Sequence, residues 1–246
     1  MFRLSVVTVC YNPPLINLEN TISSVIDNIL STGNFARLEY VIIDGGSTNG
    51  ALEIINNIKG SNPSLSIKVV SEPDSGIYDA MNKGIIHSEA DWLIFMNVGD
   101  SFVKSTILKN SIPLLDDNKT VVYGDMINRD MLVKAHAETF LHKGIIMACH
   151  QSMFFNKKLL GRELNYDLKY SIYADYELIV RILQCFEGSM FYLDSPIAIY
   201  EGGGISDKVS TKKRLDKYCI LYKYYGVEGV VRGIIHSLVS KFYRNR

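Results

Sequence analysis

Short, unbroken apolar runs alternate with spaced apolar repeats along the first hundred residues. Leu4–Val9 is a β-rich run stopped by Asn12-Pro13-Pro14. Leu15, Leu18, Ile22, Val25, Ile26 and Ile29 then recur at helical spacing, which predicts a helix with one buried stripe. Leu38–Ile43 is a second strand-like run, closed by Asp44-Gly45-Gly46-Ser47. Thr48 or Asn49 is placed to cap a helix carrying Leu52, Ile55 and Ile58 on one face. Asn62-Pro63 breaks that helix, and Leu65–Val70 reads as a third strand. A Pro/Asp/Gly turn leads into a polar-faced helix from Ile77 to about His87. The almost wholly apolar run Trp92–Met96 then reads as a buried central strand ending in Asn97-Val98-Gly99-Asp100.

Strands alternating with helices predict a mostly parallel sheet covered on both faces. Right-handed crossovers would place the carboxyl ends of those strands on one edge. Asn12, Asp44, Asp74 and Asp100 each follow such a strand, so they are expected to meet at one crevice despite their separation in sequence. Ligands of open α/β sheets bind at that edge, which makes Asp100 a candidate metal ligand.

The second half is less regular. Val121–Met126 and His150–Phe155 read as strands, and Asp175–Phe186 as a helix with Leu178, Ile179, Ile182 and Leu183 inward. Met190–Tyr200 is strand-like with a central proline, which implies an edge or a bend. Gly202–Ser206 reads either as a mobile flap whose backbone N–H groups meet phosphate or as an ordinary flexible loop.

Composition narrows the class. The 246 residues suffice for one large domain, or for two tightly joined halves. Hydrophobic residues make up 47% and charged residues 21%, as in soluble globular proteins. A formal net charge of zero gives no electrostatic footprint for nucleic acid. The four cysteines are scattered, without a CxxC pair, and read as reduced thiols of a cytoplasmic protein. No signal peptide or membrane-spanning run is visible. Residues 207–246 differ: Lys208, Lys212, Lys213, Arg214 and Lys217 form a basic cluster. Beyond Gly226, Val227, Val230, Val231, Ile234, Ile235, Leu238, Val239 and Phe242 share one helical face. A basic amphipathic helix suits peripheral contact with an anionic membrane, and equally a helix packed on the domain or at a homodimer seam.

Four segments, taken in order, resemble the inverting family 2 glycosyltransferases of the GT-A fold, especially those that build bacterial surface polysaccharides. They are Ser5-Val6-Val7-Thr8-Val9-Cys10-Tyr11-Asn12, Glu39-Tyr40-Val41-Ile42-Ile43-Asp44-Gly45-Gly46-Ser47-Thr48, Glu72-Pro73-Asp74-Ser75-Gly76-Ile77-Tyr78-Asp79-Ala80-Met81-Asn82-Lys83-Gly84 and Phe95-Met96-Asn97-Val98-Gly99-Asp100. Each is weak alone, but their order at strand ends makes the combination specific. The resemblance covers roughly residues 1–206 and implies a Rossmann-like, mixed, mostly parallel sheet with a C-terminal helical tail. Residues 1–100 would bind the nucleotide-sugar donor, and 101–206 would carry the acceptor and catalysis.

Carried onto this chain, the resemblance has Thr8, Tyr11 and Asn12 border the nucleotide base while Asp44 accepts from a base N–H. Asp44 alternatively opens an Asp-Gly turn. Gly45 stands where the family often has Asp. Asp74 and Asp79 would line the ribose and sugar, with Asp74 equally suited to capping a helix. Lys83 would approach phosphate or be a solvated helix residue. A divalent cation, Mn2+ or Mg2+, would bridge the diphosphate. Only Asp100 is acidic in the metal motif; Asn97 offers a neutral oxygen, and His150 of the His150-Gln151 pair would contact metal or diphosphate, or stay structural. Asp175, in Tyr173-Ala174-Asp175-Tyr176-Glu177, is the candidate general base, or the cap of its helix.

The implied activity is sugar transfer onto a glycan or lipid-linked oligosaccharide, in capsule, O-antigen or exopolysaccharide synthesis. Two other readings remain open from sequence. One is nucleotidyl transfer, although Tyr11-Asn12-Pro13-Pro14 lacks the Gly-rich basic loop of those enzymes. The other is a non-catalytic nucleotide- or glycan-binding partner, which the thinned Asn-Val-Gly-Asp motif would suit.

Overall fold

The computed structural model describes residues 3–34, 37–201 and 211–244. The expected flap Gly202–Ser206 and Lys208 of the basic cluster lie outside them. The first half follows the apolar pattern closely: β1 (Leu4–Cys10), α1 (Leu15–Ser31), β2 (Leu38–Asp44), α2 (Ala51–Ser61), β3 (Ser66–Ser71), α3 (Ile77–His87) and β4 (Trp92–Phe95). The chain continues through β5 (Ser101–Phe102), α4 (Ile107–Ser111), β6 (Val121–Asn128), β7 (Met131–Val133), β8 (Met153–Asn156), α5 (Lys157–Leu160), α6 (Ala174–Cys185), β9 (Met190–Tyr200) and α7 (Thr211–Arg244).

Among the described residues nine strands form one sheet, ordered β3-β2-β1-β4-β8-β6-β9-β5 with β7 beside β6. The strands β1 to β4 are mutually parallel. Antiparallel β8 joins that half to β6, and β9 then runs parallel to β6. Every residue of β1 and β2 is buried because helices cover both faces. Alternate residues therefore feed two cores. Val7, Val9, Val41 and Ile43 face α3 and α6, whereas Leu4, Val6, Tyr40 and Ile42 face α1 and α2. α3 lies unusually close to β1 at Gly84, where a Cβ would stand 2.4 Å from Val7 Cγ1.

Three local expectations are corrected. α2 is not capped by Thr48 or Asn49: left-handed Gly50 (φ 91°) takes the N-cap, and Asn49 Oδ1 accepts from Ala51 N–H at 3.3 Å. The strand expected from His150 begins only at Met153, because His150–Ser152 winds into a 3-10 turn. Proline in β9 marks a bend, not an edge. The β6/β9 register shifts on both sides of Asp125, which pairs with Pro196, while β5 covers the far side of β9 at Ala198 and Ile199.

The C-terminal helix is partly core. Ile220 and Leu221 are fully buried, and α7 breaks at Gly226 (φ 62°, ψ −156°). A Cβ at Gly233 would stand 2.6 Å from Leu221 Cδ1. Twelve residues of unbroken helix would separate those positions by about 18 Å, so the second arm folds back along the first. Glu177 of α6 anchors the first arm. It is buried, accepts from Tyr224 Oη and Lys223 Nζ (2.9 Å), and pairs with Arg181 at 3.3 Å. Burial pushes its carboxyl up, but these bonds outweigh that and hold it below the ordinary range. Glu177→Ala should therefore cost about 3 kcal/mol at neutral pH, since it removes the buried anion that binds Tyr224, Lys223 and the partly buried Arg181. In melting temperature that is a fall of about 6–12 °C. A carboxyl lowered by folding gives stability above its unfolded pKa of about 4.3 and loses it as pH falls through the folded value. Chemical denaturation at pH 7 and pH 3 should thus find the wild-type advantage large at the first and much reduced at the second.

Candidate active site

The site is built on the carboxyl edge of the parallel half. β2 and β4 flank β1, so the chain ends that carry Asp44 and Asn97–Asp100 emerge on one edge about 10 Å apart. Asn12 joins the first two loops. Its backbone is left-handed (φ 43°), its Oδ1 accepts from Thr48 N–H at 2.8 Å, and its N–H donates to Ser47 Oγ at 2.8 Å. Tyr11 beside it is 65% exposed, which leaves a ring face for a nucleotide base.

Asp44 is fully buried and accepts from Ser47 N–H, from Ser71 Oγ at 2.7 Å and from Cys10 Sγ at 3.7 Å. Burial raises its carboxyl, and the bonds from Ser47 and Ser71 more than reverse this, holding it below the ordinary range. It therefore ties β1, β2 and β3 together at the edge of the crevice. Thr8 is corrected: it is fully buried, and its hydroxyl donates to Met96 O (2.8 Å) and meets Tyr40 Oη (3.0 Å). It packs the sheet and borders no crevice.

Gly45 acquires a reason. A Cβ there would lie 2.2 Å from Asp74 Oδ2, so the carboxylate of Asp74 already fills the space beside it. Asp74 Oδ1 accepts from Gly76 N–H at 2.8 Å, and Asp79 Oδ2 accepts from Ser75 N–H at 2.9 Å, which closes the turn into α3. Lys83 Nζ donates to Pro73 O at 2.7 Å and pairs with Glu72 at 2.9 Å, a pairing that raises its pKa. It braces this loop.

The second half closes over this edge. Asn97 Nδ2 lies 2.8 Å from His150 Nε2, and His150 Nδ1 lies 3.2 Å from Asp175 Oδ2. A carboxylate accepts, so Nδ1 carries the hydrogen and Nε2 accepts from Asn97. Burial alone would lower the imidazole pKa; the neighbouring carboxylates of Asp175 and Asp100 outweigh it and raise it. Tyr78 of α3 adds a second donor, its hydroxyl 3.2 Å from Asp175 Oδ2 and 2.8 Å from Ile172 O. Burial, reinforced by Asp175, pushes that phenol far up, so it stays protonated. The Tyr166 hydroxyl also feels Asp175 without reaching hydrogen-bond geometry. Asp175 is not the cap of α6, which is Tyr173; it lies in the first turn. Its Oδ2 is held while Oδ1 has no hydrogen-bond partner. Asp175, His150 and Gln151 line a cavity of about 470 Å3.

Asp100 is 6% exposed and accepts from Gln151 Nε2. Burial pushes its carboxyl up to about 6, against the lowering effect of Gln151 and His150. Two further oxygens here, Asn97 Oδ1 and Gln151 Oε1, are buried without a partner. A carboxylate and neutral amide oxygens are the donor types that a hard cation takes. Both ring nitrogens of His150 are engaged here, Nε2 by Asn97 and Nδ1 by Asp175. Among the described residues no three His, Cys, Asp or Glu side chains cluster as a metal site. Sequence reasoning missed Tyr78 and assigned no role to Gln151. The only signals were their places, one inside the Gly76–Asp79 motif and the other beside His150.

Known proteins resemble this chain in sequence and fold. The sequence profile of Glycosyl transferase family 2 matches residues 5–167. A PGL/p-HBAD biosynthesis glycosyltransferase of Mycobacterium tuberculosis is 29% identical over 83% of this chain and 81% of its own length. An uncharacterized glycosyltransferase of the same species is 31% identical over 72% and 68%. Among solved structures, S. aureus TarS 1–349 in complex with UDP aligns at TM-score 0.65 and 15% identity, over 91% of this chain and 65% of that one. The mannosyltransferase PcManGT of Pyrobaculum calidifontis, in complex with GDP-Man and Mn2+, aligns at 0.67 and 14%, over 95% and 73%. With the GT-A sheet and its carboxylate-lined edge in place, the chain belongs to the family 2 glycosyltransferases.

Proposed function

We propose that this chain moves one sugar from a nucleoside diphosphate donor to an acceptor hydroxyl, inverting the anomeric centre, in the assembly of a cell-surface glycan. The observation that carries the reading is Asp175: one carboxylate oxygen is fixed by His150 and Tyr78, the other is unpaired, and the residue lines a cavity. Asp175 removes the acceptor proton as the acceptor oxygen approaches the anomeric carbon from the face opposite the leaving diphosphate. His150 and Tyr78 hold the carboxylate through Oδ2. On the donor side, Tyr11 offers a ring to the base, while Asn12, Asp44, Asp74 and Asp79 hold the loops that shape the pocket. Asp100, with Asn97 and Gln151 oxygens beside it, would hold Mn2+ or Mg2+, which neutralises the charge that develops on the diphosphate. The structural neighbours carry UDP in one case and GDP-Man with Mn2+ in the other, so nucleoside diphosphates with a divalent cation are the donors to try.

A thermal-shift panel of nucleotide sugars, each with and without Mn2+, tests this. The correct donor should raise the melting temperature, because it binds only the native state, and should do so mainly when the cation is present. A panel in which no nucleotide shifts the transition under either condition defeats the proposal.

In this reading the reaction runs at a membrane surface, and the second arm of α7 supports it. Val227, Val231, Ile234, Ile235, Leu238 and Val239 are exposed on one face. Beyond Gly226 the sequence carries Arg232, Lys241, Arg244 and Arg246 against one acid, Glu228. Apolar area plus positive charge suits an anionic lipid surface. No described helix is long and apolar enough to cross a membrane. The full chain should float with phosphatidylglycerol vesicles, and Ile235→Glu with Leu238→Glu should leave it behind. A wild-type chain that ignores vesicles and elutes as a dimer would assign the face to a subunit seam.

A further inference from the structure

The two sides of this site differ in character. The donor side is polar, lined by Asn12, Ser47, Asp74 and the exposed Tyr11 ring. The cavity beside Asp175 is not. Its polar groups are those of Asn128, His150, Gln151, Tyr173, Asp175 and Tyr200, but most of the surface it exposes is apolar, with Met126, Ile145, Ile146, Ala148 and Ile172 among its walls. Tyr176 lines it too, but its hydroxyl is committed to Leu141 O. At about 470 Å3 the space lies within the range of small-molecule sites.

A polyhydroxylated ring seated there would surrender several water hydrogen bonds and find few replacements, a loss incurred for each unsatisfied hydroxyl. An aromatic, alkyl or deoxygenated body loses nothing on entry and gains burial. We infer that the acceptor is an amphiphile, whose attacking hydroxyl is carried on, or next to, an apolar body that fills this cavity. The inference rests on the transferase reading of Asp175. The hydroxyl oxygen bonds to the anomeric carbon, the bond from that carbon to phosphate oxygen breaks with its electron pair leaving on the nucleoside diphosphate, and the proton passes to Asp175. The polar patch faces the reacting hydroxyl, and the apolar walls receive what carries it.

Methyl NMR tests this on the full chain with 13C-labelled isoleucine δ1 methyls. Phenyl β-glucopyranoside and free glucose serve as probes. The aryl glucoside should shift the Ile145, Ile146 and Ile172 methyls and saturate at a concentration at least ten-fold below that of glucose. Ala148→Trp, which fills the cavity, should abolish these shifts. Ile146→Gln, a milder change that keeps the fold if the larger one does not, should weaken aryl binding about ten-fold. Glucose acting at equal or lower concentration overturns the inference. So does aryl binding that ignores both substitutions, or no aryl effect up to the solubility limit. The nucleotide-sugar melting panel on the same wild-type sample separates the two readings. Donor shifts without aryl binding sink only the acceptor class, whereas no donor shift sinks the transferase reading itself.

Discussion

Asp175→Asn is expected to lower kcat about 10³-fold, within the range that positioned general bases contribute, while leaving donor KM within about two-fold. The reasoning is geometric. Asparagine has the volume of aspartate, and its carbonyl oxygen can still accept from His150 and Tyr78, as Oδ2 does now. The fold and the donor pocket therefore survive, and what disappears is the oxygen able to take a proton. A loss of 10³ corresponds to about 4 kcal/mol of transition-state stabilisation. Tyr78→Phe removes one of two donors to the same carboxylate and should cost far less, about ten-fold, because His150 still holds it. Single-turnover transfer with saturating donor separates the effects, since a change confined to binding would appear in KM. An Asp175→Asn enzyme within ten-fold of wild type would remove the residue from the chemistry and leave it a brace between α3 and α6.

The parallel half of this fold is written in apolar spacing. β1, β2 and β4 are buried on both faces, so each is a predominantly apolar run whose few polar side chains, such as Ser5, Thr8 and Glu39, find buried partners, and such runs are hard to mistake. Their carboxyl ends had to share an edge, which is why Asn12, Asp44 and Asp100 could be grouped from sequence. What those side chains do there was less legible. Thr8 belongs to a motif expected to border the base, yet strand alternation turns it into the sheet to meet Tyr40 and Met96 O. Lys83 has the right charge for phosphate, but Glu72 lies closer, and no spacing rule foretells a pairing made across a turn. His150 illustrates the same limit: a histidine beside a strand offers two nitrogens, and only tertiary packing decides that both face Asn97 and Asp175. The fold-back of α7 at Gly226 was signalled by the glycine, although not by the amphipathic stripe, which reads alike in a free arm and in a docked one.

The departures from the family pattern find compensations nearby. At Gly45 the missing carboxylate is matched by Asp74, whose Oδ2 stands where a side chain at 45 would have to pass. At the metal motif the missing second acid is matched by amides, Asn97 and Gln151, whose buried oxygens lack partners. A thinned motif therefore need not mean a lost activity. In the proposed reading, neutral ligands would leave less charge to hold a cation alone, and the donor phosphates would complete its coordination.

This arrangement gives Asp100→Asn an unusual expected outcome: lost activity with retained or increased stability. Asp100 is a buried carboxylate whose side-chain neighbour Gln151 is neutral, and an ion so placed is poorly solvated. Asparagine keeps the shape and can still accept from Gln151, but brings no charge to bury. The unliganded variant should melt at or above the wild-type temperature at neutral pH, by up to about 3 kcal/mol when the rise to about 6 is converted at 1.36 kcal/mol per pKa unit. The same substitution removes the one anionic cation ligand at the site, so Mn2+-dependent transfer should fall by about 10³-fold or more, as expected where charge developing on a leaving group goes unneutralised. Melting curves without donor, melting curves with donor and Mn2+, and turnover are measured on the same preparation. An aspartate that merely closes a turn after β4 predicts the reverse pattern, a less stable variant that keeps its Mn2+ response. That pattern would dismiss Asp100 as the cation ligand.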